Sequence, residues 1–220
     1  MLEDYCDYAH ALQMIGQYDQ SLSYIKKILA RQPDNVIALN ELAIILRKNG
    51  YTTDAIEYYL KILDIQPDFK IALSNLVNRY IDTEEYDKAE SYLIRLRTID
   101  SQFPEAPYHA ARILEHRSEW ENARKAYMVA ISISSHLGAY HRLAALLEKR
   151  WGIDQAIEIF EACLRHHHAD QWSSYQLSIL YDRKNNITQS LHYARKTLEI
   201  NPNFAEAHHL CGLLYLKSSD

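Results

Sequence analysis

The sequence predicts an all-α solenoid of antiparallel helix pairs. Three observations carry that prediction. Small residues recur about every 34 positions along the chain. Good helix formers dominate, while Gly and Pro number only five each in 220 residues. Apolar residues, 48 % of the total, fall at helical offsets inside each period. A fixed period of about 20–50 residues marks units that cannot bury their own apolar face and must stack on neighbours.

The period is visible first in a turn. QPDNVIAL at 32–39 returns as QPDFKIAL at 66–73 and as NPNFAEAH at 201–208. One series of small residues runs Ala9, Ala43, Val77, Ala111, Ala144, Ser178 and Gly212. A second runs Ser21, Ala55, Ala89, Ala123, Ala156 and Ser190. Both keep a step of 34 and both slip to 33 once, between Ala123 and Ala144. Two independent series sharing one deletion argue for a true repeat. Large residues keep the same register, for example Leu42, Leu46, Tyr59 and Ile62 in the second unit and Leu143, Leu147, Phe160 and Cys163 in the fifth. Offsets of three and four place them on one face of each of two helices per unit.

The units are expected at 2–35, 36–69, 70–103, 104–136, 137–170 and 171–204, followed by a lone first helix at 205–217, as one continuous array over 1–220. Gly16 and Gly50 fall between the paired helices, where a left-handed residue ends the first. Thr52 and Thr53 are expected N-caps of the following helix. Pro33, Pro67 and Pro202 close their units, because Pro stops one helix and tolerates the start of the next.

Composition excludes several functions. The net charge is −5 with both signs interspersed, and no basic stripe exists to neutralise phosphates, so nucleic acid is not expected as a partner. Cys6, Cys163 and Cys211 are odd in number and lack any CxxC, which argues against a disulfide framework or a zinc site and for a reducing compartment. No signal-peptide pattern opens the chain and no apolar run could span a bilayer, so a cytoplasmic protein without membrane insertion is expected. No phosphate-binding glycine loop, nucleophile elbow or HExxH is present, so no catalytic residue, cofactor or metal is expected. Glu206 and His209 supply only one Glu-x-x-His step, half of what a di-iron bundle needs. His166, His167 and His168 are adjacent, so on a helix they point about 100° apart and read as a solvated helix end. The Asn186-Ile187-Thr188 sequon reads as an inter-helix turn.

The pattern resembles the tetratricopeptide repeat family, whose 34-residue unit reads W-x2-L-G-x2-Y…A-x3-F…P. The second unit matches through Leu42, Ala43, Leu46, Ala55, Tyr59 and Pro67; the fifth matches through Leu143, Ala144, Leu147, Ala156 and Phe160. The first Trp is absent from every unit, and three units lack the closing Pro. The resemblance implies a right-handed superhelix whose first helices line a concave groove. It also implies a non-catalytic scaffold or adaptor that holds a peptide or helix of another protein there.

Register then selects the groove residues. One row is Cys6, Asn40, Ser74, Tyr108, His141, Tyr175 and His209; four residues on stand His10, Ile44, Asn78, Arg112, Ala145, Ile179 and Leu213. The expected partner-binding set is Asn40, Asn78, Tyr108, His109, Arg112, His141, Arg142, Trp172 and Tyr175. Tyr, Trp and Arg are the types most enriched at binding hot spots. Relatives that clamp a terminal carboxylate use Lys, Asn, Asn, Lys and Arg; here Ser74, Asn78, His109, Gly138 and Arg142 stand at those places, and only Asn78 and Arg142 agree.

Two other readings stand beside the scaffold. The array could be the non-catalytic arm of a larger enzyme, such as a glycosyltransferase or sulfotransferase. It could also build homo-oligomers, because Leu210, Leu213, Leu214 and Leu216 make the last helix apolar on more than one side.

Overall fold

The computed structural model describes residues 2–218, and side chains from 7 to 217. Among the described residues there are thirteen α-helices and no strand. In chain order they are α1 (Leu2–Met14), α2 (Tyr18–Arg31), α3 (Val36–Lys48), α4 (Thr52–Ile65), α5 (Lys70–Asp82) and α6 (Tyr86–Ile99). Then follow α7 (Ala106–His116), α8 (Trp120–Ser134), α9 (Leu137–Arg150), α10 (Ile153–His166), α11 (Gln171–Arg183), α12 (Ile187–Ile200) and α13 (Ala205–Ser218). The fold is an all-α helical repeat. It divides into two compact units, Met1–Ile113 and Leu114–Asp220, and the division falls inside α7.

In the first unit each helix packs on the next from α1 to α6. Its main core joins Leu39, Tyr59, Leu73, Leu76, Leu93 and Leu96, all buried. A smaller cluster holds Ala9, Ile25, Ile28, Ala38 and Ile45. In the second unit the same neighbour-to-neighbour packing runs from α8 to α13. There Ile157, Phe160, Leu164, Leu177 and Leu180 form one cluster, and Ala194, Cys211 and Leu214 form another.

The small residues show why the pairs form. Twelve of the thirteen are fully buried, from Ala9 to Ser190. A small side chain at each contact lets two helix backbones approach, and the larger neighbours then interlock around it. Gly212 is the exception and is exposed, because no second helix follows α13 to cover it within the described residues. On that helix Leu213, Tyr215 and Leu216 face solvent.

The turn also repeats inside five of the six pairs; in the α9–α10 pair Trp151 holds φ −123° and Gly152 takes the positive φ, at 121°. Gly16, Gly50, Glu84, Ser118 and Asn185 all take positive φ, at 79°, 85°, 62°, 61° and 59°. The one-residue slip has a local cause. Only two residues connect α8 to α9, against four at 32–35, 66–69, 167–170 and 201–204, and the left-handed Ser135 carries the tight reversal. Six residues precede α7, which opens with Pro107 in its first turn, where the missing N–H costs nothing.

The helix starts correct one expectation. Neither Thr52 nor Thr53 caps α4; the N-cap is Tyr51, which makes no side-chain cap bond, and both threonines lie inside the first turn. Gly50 at φ 85° turns the chain back, and the Tyr51 N–H bonds to Leu46 O at 2.9 Å. Side-chain caps occur elsewhere, at Asn35, His136, Asp170 and Asn186. Asn186 thus spends its amide oxygen on the start of α12.

Candidate functional site

The sequence-selected residues lie on first helices, and in the first unit polar side chains bond from one first helix to the next, Arg112 to Asn78 within the selected set and Asn40 and His109 to residues outside it. Gln13 on α1 donates to Glu41 on α3 at 2.6 Å. Asn75 on α5 donates to Asn40 on α3 at 3.5 Å. Ser74 on α5 meets the His109 ring on α7 at 2.8 Å. Arg112 on α7 donates to Asn78 at 2.8 Å and to Asp82 at 2.7 Å, both on α5. The Arg112 guanidinium also sits 5.8 Å from the centre of the Tyr108 ring. His109 is 1 % exposed and Asn40 is 6 % exposed, so neither presents much surface to a ligand. Buried polar side chains need partners, and each of these finds one on the adjacent first helix. Cys6, which heads the same row, lies outside the described side chains.

The second unit differs. His141 on α9 meets Asp170, the N-cap of α11, at 2.7 Å between Nε2 and Oδ2. Arg142 reaches Glu115 at 3.4 Å, and the same Glu115 oxygen accepts from the Tyr127 hydroxyl at 2.6 Å. Arg142 remains 45 % exposed. Trp172 is 46 % exposed and its ring stands 6.3 Å from that of Tyr175. Tyr175 in turn stands 5.0 Å from Phe204. Burial first, and then the nearby Glu206 charge, raise the Tyr175 phenol above its ordinary range. The three rings form one partly open aromatic strip across the starts of α11 and α13.

Sequence reasoning missed Phe204 and Asp170, because both sit in the closing turn and not on a helix face. The period contained the signal. Asn35, Phe69, Phe103, His136, Asp170 and Phe204 share one register, and three of them are Phe. It also missed a cluster. Cys163, assigned to the core, lies with its sulfur 3.9 Å from Asp170 Oδ2, and His141, Cys163 and Asp170 bring their donor atoms within 4.8 Å of one another. Burial pushes the Cys163 thiol up to about 11. Burial would also raise Asp170, but hydrogen bonds from His141 and Ser173 outweigh it and hold the carboxyl at about 2.

The histidine run behaves as a helix end. His167 bonds to Ser135 O at 2.6 Å and His168 to Leu164 O at 2.9 Å, so these two rings turn to different acceptors. No described helix is long and apolar enough to cross a membrane.

Comparison with known proteins follows the geometry. Residues 7–68 match the tetratricopeptide repeat family model. No curated protein matches the chain in sequence. Among solved structures, the APC/C hetero-tetramer Cut9-Hcn1 aligns over 97 % of the chain at TM-score 0.79 and 14 % identity. The chain spans only 42 % of that structure's matched chain. A tetratricopeptide repeat protein from Parabacteroides merdae aligns over 97 % of this chain and 84 % of its own, at TM-score 0.76 and 15 % identity. PilF of Pseudomonas aeruginosa aligns over 94 % of this chain and 95 % of its own, at TM-score 0.70 and 16 % identity. These likenesses show the fold.

Proposed function

We propose that this chain, a tetratricopeptide repeat protein by sequence over residues 7–68 and by fold over nearly its whole length, is a non-catalytic scaffold that binds a segment of another protein on its first helices. The observation that carries the reading is the aromatic strip Trp172–Tyr175–Phe204. A half-exposed Trp beside Tyr175, which is itself set against Phe204, is an amphipathic anchor with little entropy to lose on binding. Arg142 on α9 adds a cation, partly committed to Glu115, for an acidic side chain. The expected ligand is an extended or helical segment that sets an apolar residue against Trp172 and an acidic one toward Arg142. In the first unit the polar residues of the first helices are bonded among themselves, so contact there is expected to be weaker. Arg112 in particular already has a counter-ion in Asp82.

A photo-crosslinking amino acid at position 172, compared with one at the exposed Lys125 on α8, tests this in extract of the source cell. Capture of a partner from 172 and not from 125 is the expected result. Equal capture from both, or capture from 125 alone, moves the contact off the first helices.

Self-association is the second reading. It is favoured by Leu213 and Leu216 on α13, which are 43 % and 69 % exposed. Light scattering over a range of concentrations tests it; a constant monomer mass removes it.

A further inference from the structure

We propose that His141, Cys163 and Asp170 form a binding site for a transition-metal ion of the zinc class, through one imidazole nitrogen, one thiolate and one carboxylate oxygen. The three residues come from α9, the end of α10 and the N-cap of α11, so three successive elements of the second unit converge on one point.

The spacing is close to what such an ion needs. Zinc sits about 2.0–2.3 Å from N, O and S ligands, which places tetrahedral donor atoms roughly 3.3–3.6 Å apart. Here His141 Nε2 and Asp170 Oδ2 are 2.7 Å apart, and Cys163 Sγ is 3.9 Å from that oxygen. Opening the first contact by about half an ångström takes a small swing of the His141 ring, and closing the second by a few tenths takes a small turn of the Cys163 or Asp170 side chain. A thiolate with an imidazole selects zinc-like ions over calcium or magnesium, which take oxygen sets. Three protein ligands leave one position for water, on the side where His141 is 25 % exposed.

A second feature points to the same place. The Ser173 hydroxyl is fully buried and makes no hydrogen bond of normal geometry. It lies beside Cys163. Ser173 N–H meanwhile donates to Asp170 Oδ2 at 3.0 Å and orients the carboxylate. Such outer-shell donors hold metal ligands in place.

The proton balance is simple. Asp170 enters as the carboxylate. His141 enters neutral, with its hydrogen moved to Nδ1 so that Nε2 offers a lone pair. Cys163 gives up its thiol proton to solvent, so one proton leaves for each ion bound.

The test uses the untagged full chain with cobalt(II) and zinc(II) salts alone as probes. One equivalent of cobalt should produce a thiolate-to-metal charge-transfer band and intense tetrahedral visible bands, and zinc should bleach both. Cys163→Ala should abolish the charge-transfer band. That variant should fold, because fully buried Ala130 occupies the same register one repeat earlier. Asp170→Asn keeps a competent helix cap and His141→Asn keeps the ring's polarity; each should weaken zinc binding by at least about tenfold. His166→Gln/His168→Gln should leave the cobalt spectrum unchanged. Absence of the band at one equivalent overturns the proposal. So does its survival in Cys163→Ala, unchanged affinity in both Asp170→Asn and His141→Asn, or its loss in the His166/His168 variant.

Discussion

Arg112 Nη2 lies 2.7 Å from Asp82 Oδ1, and the other Asp82 oxygen lies 2.7 Å from Arg79 Nη2. One carboxylate therefore serves two guanidiniums, whose side chains are only 10 % and 14 % exposed. Burial is the leading influence on Arg79 and lowers its pKa, while Asp82 opposes that shift. Removing either end of this triad is not equivalent. Arg112→Met deletes one cation and leaves Asp82 paired with Arg79. Asp82→Ala leaves two largely buried cations near each other without that carboxylate. Both changes should destabilise, by about 1–3 kcal/mol, with Asp82→Ala the worse. The double variant should cost less than the sum of the two. Urea unfolding followed by circular dichroism reads all three.

The turn inside each pair gives a prediction of opposite sign. Glu84 and Ser118 hold φ of 62° and 61°, in the place where two other pairs use Gly16 and Gly50. A side chain in left-handed conformation strains its Cβ against the backbone, and glycine does not carry that strain. Glu84→Gly and Ser118→Gly should each stabilise by about 0.5–1 kcal/mol after the entropy cost of glycine is subtracted. Asn185→Gly should gain less, because Asn tolerates this region. Thermal melts of the single and combined variants measure the effect, and a uniform loss of stability would sink the argument.

Ser178 and Ser190 occupy the two small-residue sites of the α11–α12 pair. Their hydroxyls exchange bonds with each other's backbone carbonyls, at 2.9 Å and 2.8 Å. In the third and fifth units the same sites hold Val77 with Ala89 and Ala144 with Ala156, also fully buried. What the site demands is therefore size, not the hydroxyl. Replacing both by Ala should change stability by less than about 1 kcal/mol, since donor and extra acceptor leave together. Ser190→Leu should cost more than about 3 kcal/mol, because the helices cannot part without breaking the pair. Guanidinium unfolding curves separate the two outcomes.

These examples show how much could be read from the chain alone. Ala9, Ala43 and Ala144 announce the helix pairs, because a step of 34 residues that slips only once can only be kept by a repeated packing contact. The groove candidates were legible only as positions. Nothing local to Arg112 reveals that Asp82, thirty residues back on another helix, neutralises it. Nothing local to His109 reveals that Ser74 receives its ring. Cys163 looked like core because it does fill a core register, and it also faces Asp170 from there. Asp170 and Phe204 escaped notice because turn residues have no helical phase to betray their direction. Pattern fixes which face a residue occupies, whereas pairing depends on side-chain reach across elements distant in sequence.

Tyr181 and Tyr193 lie flat against each other, with ring centres 5.6 Å apart and planes 4° from parallel. Both hydroxyls point to the same oxygen of Glu161, at 2.8 Å and 3.3 Å. Burial, and then the adjacent Glu161 carboxylate, raise both phenols to about 12. The ordinary value of about 10 applies in the unfolded chain. The neutral phenol is thus the form the fold prefers. Below about pH 10 both states hold the proton and the contribution is complete; between about 10 and 12 the unfolded chain releases protons that the folded chain retains, and stability falls as pH rises. Glu161→Gln removes the negative charge and should lower both titrations toward the ordinary value. It should also flatten the alkaline loss of stability. Phenolate absorbance titration of the folded protein, with Tyr181→Phe and Tyr193→Phe to assign the two steps, checks the direction. Titration of both phenols near the ordinary value in the wild type would show that Glu161 does not hold them.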